Sequence, residues 1–374
     1  MNGPKKRILV AIETLSRGGA ERLLLTTLGH IDRTRFDVEV AALFGPNPLA
    51  REIRADGFTV HELGLDGPRD LVRAVAGLRR LLRDGAFDLV HTHLFSANIA
   101  GRLAAGRSTP VITTLHNPDY GQEGPDHGWG VRRLLDGSTA LLCQPTMTAV
   151  SEDVRGDYRR HLCLDDVGVI HNYIDVAGFV RDLDRRCRST ERARLGIPDD
   201  ALLILHAGRF HRQKAHDVLV SAFATLAGRA PHAHMVLAGH GPERVAVEAQ
   251  IEAAGVADRI RLLGSVSDVE GLYAAADIFA FPSRYEAFGV ALLEAMAAGL
   301  PSVVTRVGGI GEVTNEEASL FVEPDDVDGL AEGLTRLIED EELRVRMTYG
   351  ARRRATAFDV GIWLPELERL YEVA

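Results

Sequence analysis

The chain has 374 residues, 46% of them hydrophobic, with 37 glycines and 15 prolines, which supplies two buried cores and excludes a disordered polymer. A formal net charge of −10 excludes nucleic acid as the expected partner, although local cations can still gather a small anion. The three cysteines, Cys143, Cys163 and Cys187, are odd in number and form no C-x-x-C pair, so the reading is a reducing, cytoplasmic setting without a disulfide framework.

The first apolar run, residues 8–12, is too short for the core of a signal peptide and reads as a buried strand. No stretch approaches the ~20 apolar residues of a membrane span. In the first half, strands are expected at 7–12, 37–43, 89–93, 111–115 and 147–150, and helices at 19–30, 71–83 and 98–105. Short strands alternating with helices predict a parallel sheet covered on both faces. A charged, irregular stretch at 181–200 interrupts this rhythm, and the linker is expected near 172–181. The rhythm then resumes with strands at 202–207, 234–238, 260–263, 278–281, 302–305 and 320–322. Helices are expected at 217–229, 243–254, 269–275, 289–298, 327–339 and 342–357. The tail carries Trp363, Leu364, Leu367, Leu370 and Tyr371 on one helical stripe. Domains are therefore expected at residues 1–180 and 181–357, with 358–374 packing back on the first.

Three features of the first half stand out. Gly18 and Gly19, in Ser16-Arg17-Gly18-Gly19-Ala20-Glu21, follow the first strand and open a helix. Glycines there let backbone approach a ligand, and a plain tight turn fits equally well. His91-Thr92-His93 alternates at a strand end without a third ligand nearby, which favours sheet packing and cleft lining over metal binding. His116 follows the strand at 111–115, and a strand-end histidine on its own is more often structural.

The second half carries the stronger constellation. Gly208-Arg209-Phe210-His211-Arg212-Gln213-Lys214 lies at the carboxyl end of a strand, where open parallel sheets bind ligands. Arg209 and Lys214 suit convergence on a diphosphate, the plain alternative being a solvated basic loop. Further on, Glu286 stands in a loop before a helix that opens near Gly289 and stops at Gly299-Leu300-Pro301. The first turn of that helix offers free N–H groups to an anion. Glu294 lies five residues past Gly289, about 7.5 Å deeper at about 1.5 Å per residue, close to the span from a diphosphate to a ribose. Set among Leu293, Ala295 and Met296, its carboxylate needs a partner.

Glu286 and Glu294, with seven residues between them in PSRYEAFGVALLEAMAAGLP, follow GRFHRQK, LAGHGPE and LLGSVSDVEGLYAAADIFAFPS in that order. Together these resemble the signature of retaining glycosyltransferases of family 4, over nearly the whole chain and most strongly at 202–312. The resemblance implies an α/β protein of the GT-B fold, two Rossmann-like doubly wound parallel-sheet domains facing a central cleft. It implies transfer of a sugar, with retention, from a nucleotide-diphosphate-sugar donor to an acceptor hydroxyl on a glycan, a lipid-linked glycan or a small molecule, in cell-surface polysaccharide or glycolipid biosynthesis. By the same resemblance Arg209 and Lys214 neutralise the diphosphate, and Glu294 binds the ribose. Glu286 and the backbone of Ala287, Phe288, Gly289 and Val290 hold the sugar and β-phosphate, and backbone near Val266 meets the base. Gly18 and Gly19 line the donor-phosphate or acceptor side, and His116 contacts the transferred sugar. No cofactor is expected, and no metal, because cations and a helix N-terminus already face the diphosphate and Asp165-Asp166 is not a D-x-D motif.

Competing readings are weaker. A dinucleotide-dependent oxidoreductase needs G-x-G-x-x-G, yet Gly239-His240-Gly241 is followed by Arg244 where the third glycine belongs. A phosphorylase on this architecture needs a lysine for pyridoxal phosphate, and Lys214 is the only lysine after Lys6. A nucleotide-sugar-binding protein without turnover is the third alternative. Arg69, Arg73, Arg79, Arg80, Arg83, Arg102, Arg107, Arg132 and Arg133 enrich the first half. They suit solvated helix faces or a peripheral contact with the inner face of an anionic membrane.

Overall fold

A computed structural model describes residues 4–118, 129–266 and 268–374. Strand β1 (Lys6–Ile12) is buried on both faces from Ile8 to Ile12, a burden that only a sheet with helices on each side relieves. Six more strands join it: β2 (Phe36–Phe44), β3 (Thr59–Leu65), β4 (Leu89–His93), β5 (Val111–Leu115), β6 (Thr146–Ala149) and β7 (Val167–Val169). Their order is β3-β2-β1-β4-β5-β6-β7, parallel throughout.

A second parallel sheet holds β8 (Leu202–Ala207), β9 (Ala233–Ala238), β10 (Ile260–Leu263), β11 (Ile278–Phe281), β12 (Ser302–Thr305) and β13 (Ser319–Val322). Its order is β10-β9-β8-β11-β12-β13, again parallel. Each sheet thus reverses its winding once, between β1 and β4 and between β8 and β11. These gaps at the carboxyl ends are where doubly wound folds bind ligands.

The sheets belong to two units, one running to Tyr173 and regaining Val360–Ala374, the other spanning Ile174–Asp359. The boundary therefore falls before the expected 180/181. The helix Val176–Asp184 crosses that point and buries Val176 and Phe179, the latter stacked edge-on against Tyr273 of the second unit. The stretch expected to be irregular is likewise helical at Arg188–Leu195. Its charge is internal: Arg192 is fully buried, ion-paired with Asp277, and donates to the carbonyls of Ala275, Pro198, Asp199 and Ala201. The C-terminal helix Val360–Val373 buries Leu364, Leu367 and Tyr371 against Leu24, Leu28 and Ile31.

Two glycines read as a broken dinucleotide motif have a packing role. Gly239 (φ 149°) lies in a region closed to side chains, and a Cβ there would strike the Gly208 carbonyl. A Cβ on Gly241 would strike the Phe210 carbonyl. The loop after β9 is thereby pressed against the loop after β8, joined by hydrogen bonds from Phe210 N–H to the His240 carbonyl (3.2 Å) and from Glu243 N–H to the Phe210 carbonyl (3.1 Å).

Arg102, grouped above with surface cations, is fully buried and ion-paired with Asp136, itself 1% exposed. Arg102→Ala is expected to destabilise the protein by about 3–5 kcal/mol, because it strands a buried carboxylate. Joint replacement, Arg102→Met with Asp136→Leu, is expected to cost far less. Denaturant titration of the three proteins checks this, and equal midpoints for the single and double variants would contradict it.

Candidate active site

In the second unit, β8 and β11 deliver two loops to the reversal point. The first, after Ala207, runs through Arg209 into a short turn at Arg212–Lys214, and Ala215 (φ 52°) bends the chain into the helix His216–Ala227. The second runs from Phe281 through Glu286 to the helix Val290–Ala298. Arg284 clamps them together through Asp217 (2.7 Å), Asp325 (2.7 Å) and the Arg212 carbonyl (2.7 Å). Two more bonds tie the same loops, Arg284 N–H to the Gln213 carbonyl (2.8 Å) and Gln213 Nε2 to the Tyr285 carbonyl (3.1 Å). Gly309 N–H anchors the Glu286 carbonyl at 3.0 Å.

This stapling brings Lys214 Nζ onto Glu286 Oε1 as a close ion pair. Glu286 is buried, and the ammonium also lies 4.8 Å from the centre of the Phe281 ring, a cation–π contact. The spacing of Arg209 and Lys214 suits both to one diphosphate. The structure pairs Lys214 with Glu286 and leaves Arg209 exposed, without a hydrogen bond or ion pair among the described residues.

Two histidines that flank the motif went unnoticed in the sequence. His206 and His216 are fully buried, 4.7 Å apart and edge-on, with His216 stacked on Phe210 at 4.2 Å. His206 Nδ1 donates to the Ala280 carbonyl at 2.8 Å. Burial, with Lys214 nearby, lowers the His206 pKa to about 4 and pulls His216 down as well. Both rings are therefore neutral near pH 7 and add no second cation beside Lys214.

Gly289 (φ 90°) opens the helix Val290–Ala298, and a Cβ there would come within 2.9 Å of Ile310 and 3.2 Å of Phe281. Phe288 is buried against Phe358, ring centres 5.3 Å apart, while Ala287 is partly exposed. Glu294 is buried, and its partner is Tyr273, whose hydroxyl donates to Oε2 at 2.9 Å. No motif spacing marks Tyr273, which comes from the preceding helix Val269–Ala275. Val266 is partly exposed after β10, the edge strand of this sheet.

In the first unit, the reversal point receives the loops after β1 and β4, with β5 beside them. Gly18 precedes the helix Gly19–His30, and Glu21 turns back to accept from Ser16 Oγ (2.7 Å) and Thr14 Oγ1 (3.2 Å). A carboxylate thus closes the glycine loop. His91, His93 and His116 form a buried group, with His93 Nδ1 and His116 Nε2 sharing a 2.9 Å hydrogen bond. Desolvation lowers His91 to about 3 and His116 to about 4, and holds His93 well below its ordinary value.

Residues 188–354 match the family described as glycosyl transferases group 1, and residues 17–177 match Glycosyltransferase Family 4. A D-inositol 3-phosphate glycosyltransferase of Saccharomonospora viridis is 31% identical, aligned over 87% of this chain and 79% of its own. An N-acetyl-alpha-D-glucosaminyl L-malate synthase of Bacillus anthracis is 28% identical, over 84% of this chain and 80% of its own. Among solved structures, Anabaena HepE in complex with UDP-glucose superposes with a TM-score of 0.85 at 21% identity, covering 98% of this chain and 100% of that one. A Rickettsia africae glycosyltransferase superposes with a TM-score of 0.81 at 19% identity, covering 98% of both chains. Two family matches in sequence order and a relative aligned along most of both chains establish that this protein is a glycosyltransferase of family 4, group 1.

Proposed function

We propose that the chain transfers a sugar from a nucleoside-diphosphate donor to an acceptor hydroxyl with retention of configuration, the donor resting on the second unit. The observation that carries this reading is the Lys214–Glu286 pair beside the N-terminus of the helix Val290–Ala298, at the reversal point of the sheet. A diphosphate there would meet Lys214, the unpaired Arg209 and the free amides of the helix. Glu286 and the backbone of Ala287–Val290 would hold the sugar and β-phosphate, Glu294 the ribose, and backbone near Val266 the base.

Cleaving the sugar–phosphate bond leaves positive charge on the ring and negative charge on the departing diphosphate. Fixed cations and amides stabilise the second charge as it develops. In the proposed step the bond from the anomeric carbon to the β-phosphate oxygen breaks. The bond to the acceptor oxygen forms on the same face, and the acceptor proton passes to the leaving phosphate. Glu286 opposes the charge on the ring, and His116 of the first unit contacts the transferred sugar. The site then needs no divalent cation, since protein groups carry the neutralising charge.

Arg209→Ala, Lys214→Ala and Glu286→Ala are each expected to lower kcat by on the order of 10²-fold or more while circular dichroism stays unchanged. The assay is a nucleotide-release screen beginning with UDP-glucose, the ligand of the Anabaena protein, with product configuration read by NMR. Full activity in all three variants, or an inverted product, would sink the reading. Activity is expected to survive EDTA, and an EDTA-sensitive rate restored by Mg²⁺ would overturn metal independence.

A peripheral membrane contact is the second part of this reading. Among the described residues no helix is long and apolar enough to cross a membrane. The helix Trp129–Cys143 nevertheless exposes Val131 (63%), Leu134 (70%), Leu141 (74%) and Leu142 (63%) on one side, and Arg132 and Arg133 are exposed in its first turns, away from that stripe. An apolar stripe on a helix that also carries exposed cations suits an anionic bilayer surface. Co-sedimentation with phosphatidylglycerol vesicles is expected to exceed that with phosphatidylcholine, and Leu134→Gln with Leu141→Gln should lower it. Equal sedimentation with both lipids, or an unaffected variant, would count against the contact.

A further inference from the structure

The mechanism above uses His116 but gives no work to the histidines beside it. A sheet could fill these positions with leucine or valine. Instead three imidazoles stand together at the carboxyl ends of β4 and β5, where each buried ring nitrogen needs a partner. His91 has two: the Tyr371 hydroxyl on Nδ1 (2.7 Å) and Thr114 Oγ1 on Nε2 (2.7 Å). Thr114 is held in turn by Thr148 Oγ1 at 3.2 Å. With both nitrogens fixed, His91 forms a rigid floor, and the His93 ring lies over it at 4.1 Å between centres.

The chain beyond His93 is also fixed. Leu94 has φ 71°, a left-handed conformation costing a non-glycine residue about 1–3 kcal/mol and kept only where surroundings impose it. Here Glu13, at the end of β1, accepts the Ser96 N–H at 2.6 Å and holds the first turn of the helix Phe95–Ala105. His93 is therefore located from below by His91 and from behind by a strained turn. That strain at a strand end marks a position held for more than packing.

We propose that His93 is a positioning residue for His116, engaging its Nε2 so that a single orientation, with its tautomer coupled to that of His93, presents Nδ1 to the transferred sugar. Two neutral imidazoles share one hydrogen across such a bond, and each ring's remaining nitrogen takes the opposite character from the one engaged. A His116 ring without this partner can rotate and exchange tautomers, and it meets the sugar correctly only part of the time. The proposal rests on the reading of His116 as a sugar contact.

Three readouts separate the ideas. His93→Leu is expected to lower kcat on the order of 10²-fold with little change in donor KM, the scale of a small misplacement of a reacting group. His93→Asn, whose amide can occupy the place of Nδ1, is expected to restore most of that loss. A His93→Leu, His116→Ala double variant should be no slower than His116→Ala alone. If His116→Ala is impaired while His93→Leu matches the parent, or if the double variant multiplies the two losses, the positioning role is wrong. If His116→Ala itself keeps full activity, the reading of His116 fails first. Should His93→Leu fail to fold, nitrogen-15 spectra of the unaltered protein decide: His93 Nδ1 and His116 Nε2 are expected in opposite protonation states, and the same state at both overturns the proposal.

Discussion

Right-handed crossovers force a doubly wound parallel sheet to reverse once, and at that reversal two neighbouring strands send their loops apart. Between β8 and β11 the space left open is where Lys214 and Glu286 meet. Their meeting is not a property of either loop alone. Arg284, drawn to Asp217 and Asp325 while donating to the Arg212 carbonyl, ties the loops so that a lysine and a glutamate far apart in sequence become neighbours. The rigidity of that staple decides where the charge of the site sits.

The electrostatics follow from burial. Lys214 lies against an aromatic ring and beside two neutral histidines, so its charge has one carboxylate to answer it. A cation so placed binds an incoming phosphate more strongly than one in water, because the low-dielectric surroundings have already stripped its hydration. Glu286 stops that cation from being a cost to the fold. Arg209, exposed and unpaired among the described residues, is different in kind: it costs nothing to leave in solvent and is free to follow a ligand. Lys214 is preorganised and Arg209 adaptable.

Much of this architecture was legible in the chain. Strands β4, β5, β8, β10, β11 and β12 lie where apolar runs between turn signals put them, because buried parallel strands are apolar on both faces. The half-exposed strand β3, Thr-Val-His-Glu-Leu-Gly-Leu, is not among the expected strands, because its polar positions break up the apolar run by which the others stand out. The helices Val176–Asp184 and Arg188–Leu195 were hidden by charge, since Arg192 serves as a core residue by satisfying carbonyls, which no hydrophobic pattern reveals. At the site, the carboxylate Glu294 could be seen to need a partner. That the partner is Tyr273 could not, because helix packing brings them together. The spacing of Arg209 and Lys214 suits a diphosphate but carries no information about the Arg284 staple that brings Lys214 to Glu286. Likewise His93 and His116 are 23 residues apart, joined only by the register of β4 on β5.

The two reversal points differ in polarity, and the difference fits a division of labour. The second unit arranges full charges, a lysine and a carboxylate with an exposed arginine, around amides at a helix start, a setting suited to a polyanion. The first arranges uncharged imidazoles and hydroxyls, and its one carboxylate at the glycine loop, Glu21, is already engaged by Ser16 and Thr14. Desolvated neutral groups discriminate by hydrogen-bond geometry rather than by charge, because a partner lacking the right hydroxyl leaves a buried nitrogen unsatisfied. A sugar is a neutral array of hydroxyls, and a nucleoside diphosphate is an anion with a sugar attached. On the proposed reading, the charged groups of the second unit suit the nucleoside diphosphate, and the neutral groups of the first suit hydroxyls.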